Sequence, residues 1–222
     1  MISAHSSDTG SGTGHPAGRL VVLEGMPGAG KTTLAAGLAA EGAAVLGEYI
    51  TPAGATIPLS GHPGAGDGAA HNANWVGKAS QAAAARRSVR AVYLDRDWLS
   101  ALAYAYSIAD KDGGQLMRER CAWAQDCLAA GRLLLADTYV IFHVTAATSL
   151  RRRASVLQDD HPWSHPGPLG RLRYFYTWPA QVVSGAHPGL GAALLTPAWH
   201  RVPGTGGTQS RLRLLRQLGT GQ

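Results

Sequence analysis

The sequence predicts an α/β fold of three layers, α/β/α, around a central parallel sheet, and three observations predict it. Short apolar runs alternate with helix-forming stretches along the 222 residues, as strand–helix crossovers require. The first of these runs, Arg19–Glu24, leads directly into Gly25-x-x-x-x-Gly30-Lys31-Thr32 and then into a helical stretch. Polar groups fall just past the strand ends, where open parallel sheets bind ligands: the glycine-rich loop, then Glu48, then Asp95-Arg96.

The elements follow in order. Residues 1–18, rich in Ser, Gly and His, read as a disordered tail before one domain over 19–222. Arg19–Glu24 is the first strand and Lys31–Glu41 the helix after the loop. Ala43–Gly47 is a short second strand ending at Glu48. Pro52–Ala70 is rich in Gly and Pro without periodicity, hence a long loop. Asn72–Arg87 is an alanine-rich helix that groups Trp75, Lys78 and Gln81 at spacings of three. Arg90–Leu94 is the third strand, ending at Asp95-Arg96. Trp98–Ile108 and Gln115–Ala130 are helices divided at Gly113-Gly114. Tyr139–Val144 is a strand, apolar except for His143, and Ala147–Leu157 a helix carrying Arg151, Arg152 and Arg153. Gln158–Gly170 is a second loop, and Arg171–Ser184 a helix whose Tyr174, Phe175, Tyr176 and Trp178 are expected to pack. A short strand around Trp199–Val202 and a basic helix, Ser210–Leu218, close the chain.

Composition narrows the function classes. The formal charge is +6, and lysine occurs only at 31, 78 and 111. This sign suits a polyanionic small molecule as well as nucleic acid, but no stretch interleaves aromatic with basic residues, so nucleic acid is not expected as a partner. No apolar run has the length of a membrane span, and the polar start lacks a signal-peptide core. Cys121 and Cys127, six apart in a helix, point to different faces and read as core residues of a reduced, cytoplasmic protein. His161 and His165 flank a proline-rich loop, too few for a metal site.

The chemistry concentrates in the glycine-rich loop. G-x-x-x-x-G-K-[ST] describes the phosphate-binding loop of the P-loop NTPase fold: bare backbone N–H groups surround phosphate oxygens while the following helix directs its positive end at them. Gly25, Pro27, Gly28, Ala29, Gly30, Lys31, Thr32 and Thr33 are therefore expected to bind ATP or GTP, with Lys31 on the outer phosphates. Thr32 and Asp95 are the expected Mg²⁺ ligands. A carboxylate facing a γ-phosphate can accept the proton of an attacking hydroxyl. Glu48 is the first candidate for that base and Asp95 the second. Arg96 either holds an anionic group of the acceptor or pairs with Glu48 and fixes it.

The segment VYLDRDWLSALAYAYS, Val92–Ser107, resembles the D-R-[YH]-x-x-S-x-x-A-Y-Q segment of thymidylate kinases at Asp95, Arg96, Ser100, Ala103 and Tyr104. Asp97 replaces the aromatic and Ala105 the glutamine. The same segment is similar to the E-R-S region of deoxynucleoside kinases, and Glu48-Tyr49 stands where those enzymes carry a Glu-Pro base. The Arg-Glu-Pro-Gly-Gly of thymidylate kinases is here Gly47-Glu48-Tyr49-Ile50, without the arginine. Trp75 and Gln81 resemble the helix positions that sandwich and read a base, and Tyr104 joins them as a substrate-binding candidate. The resemblance implies a small arginine-bearing lid, about residues 151–170, in which Arg152 or Arg153 stabilises the transferred phosphoryl group and Arg151 and Arg153 touch the nucleotide. It also implies a small-molecule hydroxyl or monophosphate acceptor (a nucleoside, a nucleotide, or a nucleoside-like or antibiotic compound), and a homodimer through helices flanking the Asp-Arg segment. The alternatives are a regulatory NTPase, for which no Walker B acid pair or Asn-Lys-x-Asp is present, and a nucleotide-binding protein without catalysis.

Overall fold

Leu20–Leu23 are consecutive apolar residues, so the strand they form needs cover on both faces, and all four are buried. In the computed structural model, which describes residues 17–64, 66–109, 114–155 and 161–221, this strand is the middle of the sheet. The strands are β1 (Arg19–Gly25), β2 (Ala44–Leu46), β3 (Ala91–Asp95), β4 (Thr138–His143) and β5 (Ala198–Pro203). They lie in the order β2-β3-β1-β4-β5, and every pairing is parallel. The chain leaves β1 to one side for β2 and β3, then crosses back to the other side for β4 and β5. The crevice for a ligand opens at that reversal, beyond the carboxyl end of β1.

Helices cover both faces. On one, α1 (Lys31–Ala40) packs with α9 (Thr208–Thr220), which also touches β1 and β3. On the other, α3 (Leu99–Ser107) packs on α4 (Gln115–Ala129) and on α6 (Pro166–Thr177), which reaches β1. Next to α4 lie α7 (Pro179–Ala186) and α8 (Pro188–Ala193), while α2 (Gly68–Ala85) packs beside β2. The three-layer α/β/α expectation holds. Cys121 and Cys127 are both buried free thiols in α4, and burial lifts the Cys121 thiol to about 11. No helix among the described residues is long and apolar enough to cross a membrane.

Several boundaries differ from the sequence expectation for local reasons. Of the expected tail, residues 1–16 lie outside the described residues, but Gly18 is buried and its N–H donates to Arg86 O at 2.8 Å, so it belongs to the folded domain. The expected loop 52–70 contains a 3₁₀ turn, Leu59–Gly61, and the α2 start at Gly68, capped by the Asp67 carboxylate accepting from Ala70 N–H. Within the expected loop 158–170, a 3₁₀ turn forms at Pro162–Ser164 and α6 begins at Pro166. The expected helix 171–184 is divided at Trp178, because Pro179 opens a new helix. Prolines at the first positions of α6, α7 and α8 start helices rather than interrupt them, since the first N–H of a helix has no partner to lose. The break at Gly113-Gly114 falls partly outside the described residues; Gly114 caps α4 with φ +79°.

Candidate active site

The loop after β1 has the shape its glycines require. Gly25 has φ +120°, and a Cβ there would lie 2.2 Å from Phe142 O of β4, so glycine serves the passage of one strand past another. Neither Gly25 nor the buried Ala29 lines the phosphate cavity. Pro27, Gly28, Gly30, Lys31, Thr32 and Thr33 do line that cavity, of about 460 Å³, together with Glu48, Arg96, Arg152 and Arg153. Gly30, left-handed at φ +88°, is the residue before α1, whose free N–H groups therefore face the cavity end of the loop.

Lys31 is buried and folds back over the loop, its Nζ donating to Gly25 O at 3.2 Å and Met26 O at 3.0 Å. Burial, and then the nearby Arg96, lower its pKa to about 7. Asp95, Glu48 and Glu24 offset this only in part, and a polyphosphate at the loop would favour the charged form further. Thr32 Oγ1 donates to Asp95 Oδ2 at 2.7 Å, bringing the two expected Mg²⁺ ligands together. Asp95 is buried and its Oδ1 has no hydrogen-bond partner, so a carboxylate oxygen is left over beside the hydroxyl. This oxygen-only pair fits a hard divalent cation.

Arg96 is the centre of the site. Among the described residues it is the one non-glycine with positive φ, +66°. The Lys78 ammonium holds that turn by donating to Asp95 O and Arg96 O, both at 2.7 Å, and reaches Glu48 O at 3.4 Å. Burial lowers the Lys78 pKa to about 8. The Arg96 guanidinium contacts a carboxylate on each side: Nε to Glu48 Oε1 at 3.0 Å and NH1 to Glu24 Oε2 at 3.2 Å. It therefore pairs with Glu48, the second of its two expected roles. For Glu48, burial alone would raise the pKa, but Arg96 first and Lys31 next outweigh it and hold the carboxyl below the ordinary range. The base candidate is thus ionised at neutral pH, with its side chain still 28 % exposed.

Glu24 is the residue that sequence reasoning missed. It is fully buried and accepts from Ser100 Oγ at 2.8 Å, Tyr176 OH at 2.8 Å, Asp97 N–H at 3.1 Å and Arg96 NH1. Its signal was an acid closing an otherwise apolar strand. Tyr176, expected only to pack, ties α6 into this network. Asp97, below it, accepts from Tyr139 OH at 2.9 Å and Leu99 N–H at 2.9 Å. Burial and then the Glu24 charge push Asp97 up to about 7. Arg96→Ala would strand the Glu24 carboxylate in the interior, and we expect it to cost about 3–5 kcal/mol of stability, read as a lowered urea midpoint. An unchanged midpoint would contradict the network.

A second cavity, about 520 Å³, adjoins the first. Glu48, Leu59, Arg96 and Arg153 line both. Its walls are aromatic: Tyr49, Trp75, Tyr104 and Trp163. Trp163 arrives from the 3₁₀ turn Pro162–Ser164, edge-on to Tyr104 at 6.1 Å and 6.0 Å from the Arg96 guanidinium. Tyr49 packs on His62 at 4.3 Å and hydrogen-bonds His71 Nδ1. Of the substrate-binding candidates on helices, Trp75 and Tyr104 line this cavity and Gln81 does not: its amide donates to Pro52 O at 2.9 Å. Position 81 is six residues past Trp75 along α2, about 240° around the helix, and Pro52 O accepts its amide there. His62, His71 and His161 also line this cavity; His62 and His161 lie in irregular segments that gave no periodic signal, and His71 lies in the first turn of α2, ahead of the expected helix start.

The lid arginines divide. Arg152 NH1 donates to Gly28 O and Gly204 O, both at 2.9 Å, and so bridges the loop to the segment after β5. Arg153 lines both cavities, and burial followed by Arg96 lowers its pKa; its Nε is without a partner. Arg151 is exposed and donates to Thr148 Oγ1 at 3.4 Å, one turn back on α5 (Ala146–Arg153), and it lines neither cavity. One α-helical turn cannot aim three consecutive side chains the same way. Of the lid, residues 156–160 lie outside the described residues.

No family model and no curated protein matches the sequence. Solved structures do match. The structure of deoxyadenosine kinase from M. mycoides with bound dATP has a TM-score of 0.59 at 12% identity, covering 90% of this chain and 98% of that one. A second structure of that enzyme, with the products dCMP and a flexible dCDP, has a TM-score of 0.59 at 13% identity, covering 91% and 100%. The fold of this chain is that of the P-loop deoxynucleoside kinases.

Proposed function

We propose that this protein is a small-molecule kinase, transferring the γ-phosphoryl group of ATP or GTP to a hydroxyl, or to a monophosphate, of a nucleoside or nucleoside-like acceptor. The observation that carries this reading is the shared wall: Glu48, Arg96 and Arg153 line both the phosphate cavity and the aromatic cavity. A plain NTPase needs the first cavity and has no use for the second. The structural likeness to a deoxyadenosine kinase supports a nucleoside among the candidate acceptors.

The loop N–H groups, the start of α1 and Lys31 would receive the polyphosphate. Thr32 and Asp95 would hold Mg²⁺, which when bound neutralises charge on the phosphate oxygens. Glu48 accepts the proton of the acceptor hydroxyl as its oxygen bonds to the γ-phosphorus. The bond from that phosphorus to the β,γ-bridging oxygen breaks, and the nucleoside diphosphate leaves. Arg96 keeps Glu48 ionised and aimed, while Arg153 is placed to offset charge on the group in transit. The test is diphosphate release with and without acceptor across nucleosides, nucleotides and hydroxylated antibiotics. At least one acceptor is expected to raise the rate about 100-fold or more, the range of general-base catalysis. A rate indifferent to every acceptor would support the plain NTPase instead.

A further inference from the structure

The aromatic cavity is unequally charged. Among the described residues, Glu48 is the one acid whose side chain lines it, and Arg96 already neutralises that acid; Arg96, Arg120 and Arg153 are the cations. Arg120 comes from α4 and is half-buried, and its NH1 donates to Asn72 Oδ1 of α2 at 2.8 Å. That partner is neutral, and no carboxylate among the described residues forms an ion pair with Arg120. Its position is nevertheless fixed: a Cβ at Gly68, one turn before Asn72, would lie 2.3 Å from Arg120 NH2, so glycine there lets the guanidinium lie against α2. With Gln81 bound to Pro52 O, the cavity lacks the paired donor and acceptor of an amide at that position and carries instead a fork that only donates.

We propose that Arg120 is a specificity residue of the acceptor site. It receives a carbonyl or carboxylate oxygen on the part of the acceptor away from the reacting hydroxyl, while Trp75, Tyr104 and Trp163 enclose the ring between. A guanidinium binds such oxygens through parallel N–H groups and repels an ammonium group. The acceptors are therefore neutral or anionic ring compounds with carbonyl-type oxygens, and polycationic hydroxyl compounds are rejected. This rests on the kinase reading for the identity of the hydroxyl end.

The test uses the full chain and three probes substituted at one ring carbon: deoxyuridine, carboxydeoxyuridine and aminomethyldeoxyuridine. Calorimetric affinity is measured for the wild type, Arg120→Gln and Arg120→Lys, without nucleotide. The carboxy probe is expected to bind at least about tenfold more tightly than the aminomethyl probe, with deoxyuridine between them. In Arg120→Gln that gap should shrink to about twofold with ATP affinity unchanged, whereas Arg120→Lys, which keeps the charge, should still reject the amine. Equal or tighter binding of the amine, an unchanged order in Arg120→Gln, or no binding of any probe would overturn the proposal. Charge-ordered binding, with no phosphoryl transfer to any acceptor across nucleosides, nucleotides and hydroxylated antibiotics, would refute the kinase reading and leave Arg120 assigned. Transfer with no charge order would do the reverse.

Discussion

Glu48→Gln is expected to lower acceptor-dependent turnover by about 10²–10⁴-fold, the contribution of a positioned general base, while leaving ATP affinity within about threefold. Glutamine keeps the size of the side chain and removes its capacity to take a proton. The fold should tolerate the change, because Arg96 retains Glu24 at 3.2 Å and the Glu48 side chain is partly exposed. The pH profile gives an independent reading. Arg96 and Lys31 hold the Glu48 carboxyl below its ordinary range against the effect of burial, so the base loses activity only as pH falls through that lowered value. Wild-type kcat/KM should therefore stay flat below pH about 4.3, the unperturbed glutamate value, as far as the fold survives. An acid limb near neutrality would assign the proton transfer to another group, and an undiminished rate in Glu48→Gln would remove Glu48 from the chemistry.

Lys31→Ala is expected to lower turnover by about 10²–10³-fold and to weaken nucleotide binding as well, since the ammonium is the buried cation at the loop. The free protein should lose little stability, because Lys31 there donates only to two loop carbonyls and its charge is disfavoured by burial. A linked proton makes the assignment specific. With its pKa at about 7, Lys31 is largely neutral in the free protein at pH 8. An arriving polyphosphate favours the charged form, so binding raises the pKa and takes up a proton in that window. Calorimetry in buffers of different ionisation heat should show this uptake in the wild type and its loss in Lys31→Ala. Equal proton uptake in both proteins would place the responding group elsewhere.

Much of this site was legible because its signals are local. The phosphate loop is contiguous, and its glycines, lysine and threonine each answer a requirement of that turn. Glu48 and Asp95-Arg96 could be placed because strand ends in a parallel sheet converge on one edge. What stayed hidden depends on long-range packing. Glu24 looks like the polar end of a strand until Ser100, Tyr176 and Arg96, 76, 152 and 72 residues away, are seen to converge on it. Gln81 matched a pattern, but whether an amide faces a cavity or a loop carbonyl is decided by the course of Pro52, not by helix spacing. Arg151, Arg152 and Arg153 read alike in sequence, yet Arg151 lines neither cavity, since neighbours in sequence diverge around a helix. The helix expected over Arg171–Ser184 ran through Pro179, and Pro166 fell in an expected loop; only the folded chain shows that both open helices.

The central claim is that two cavities meet at the Glu48–Arg96 wall so that a phosphoryl group passes from one to the other. The most direct measurement is a single turnover of γ-labelled ATP or GTP with enzyme in excess, Mg²⁺ present, and the acceptor that most accelerates diphosphate release. The account predicts that the label appears as a phosphate ester or anhydride of the acceptor, in proportion to diphosphate formed. Label recovered entirely as inorganic phosphate would contradict it.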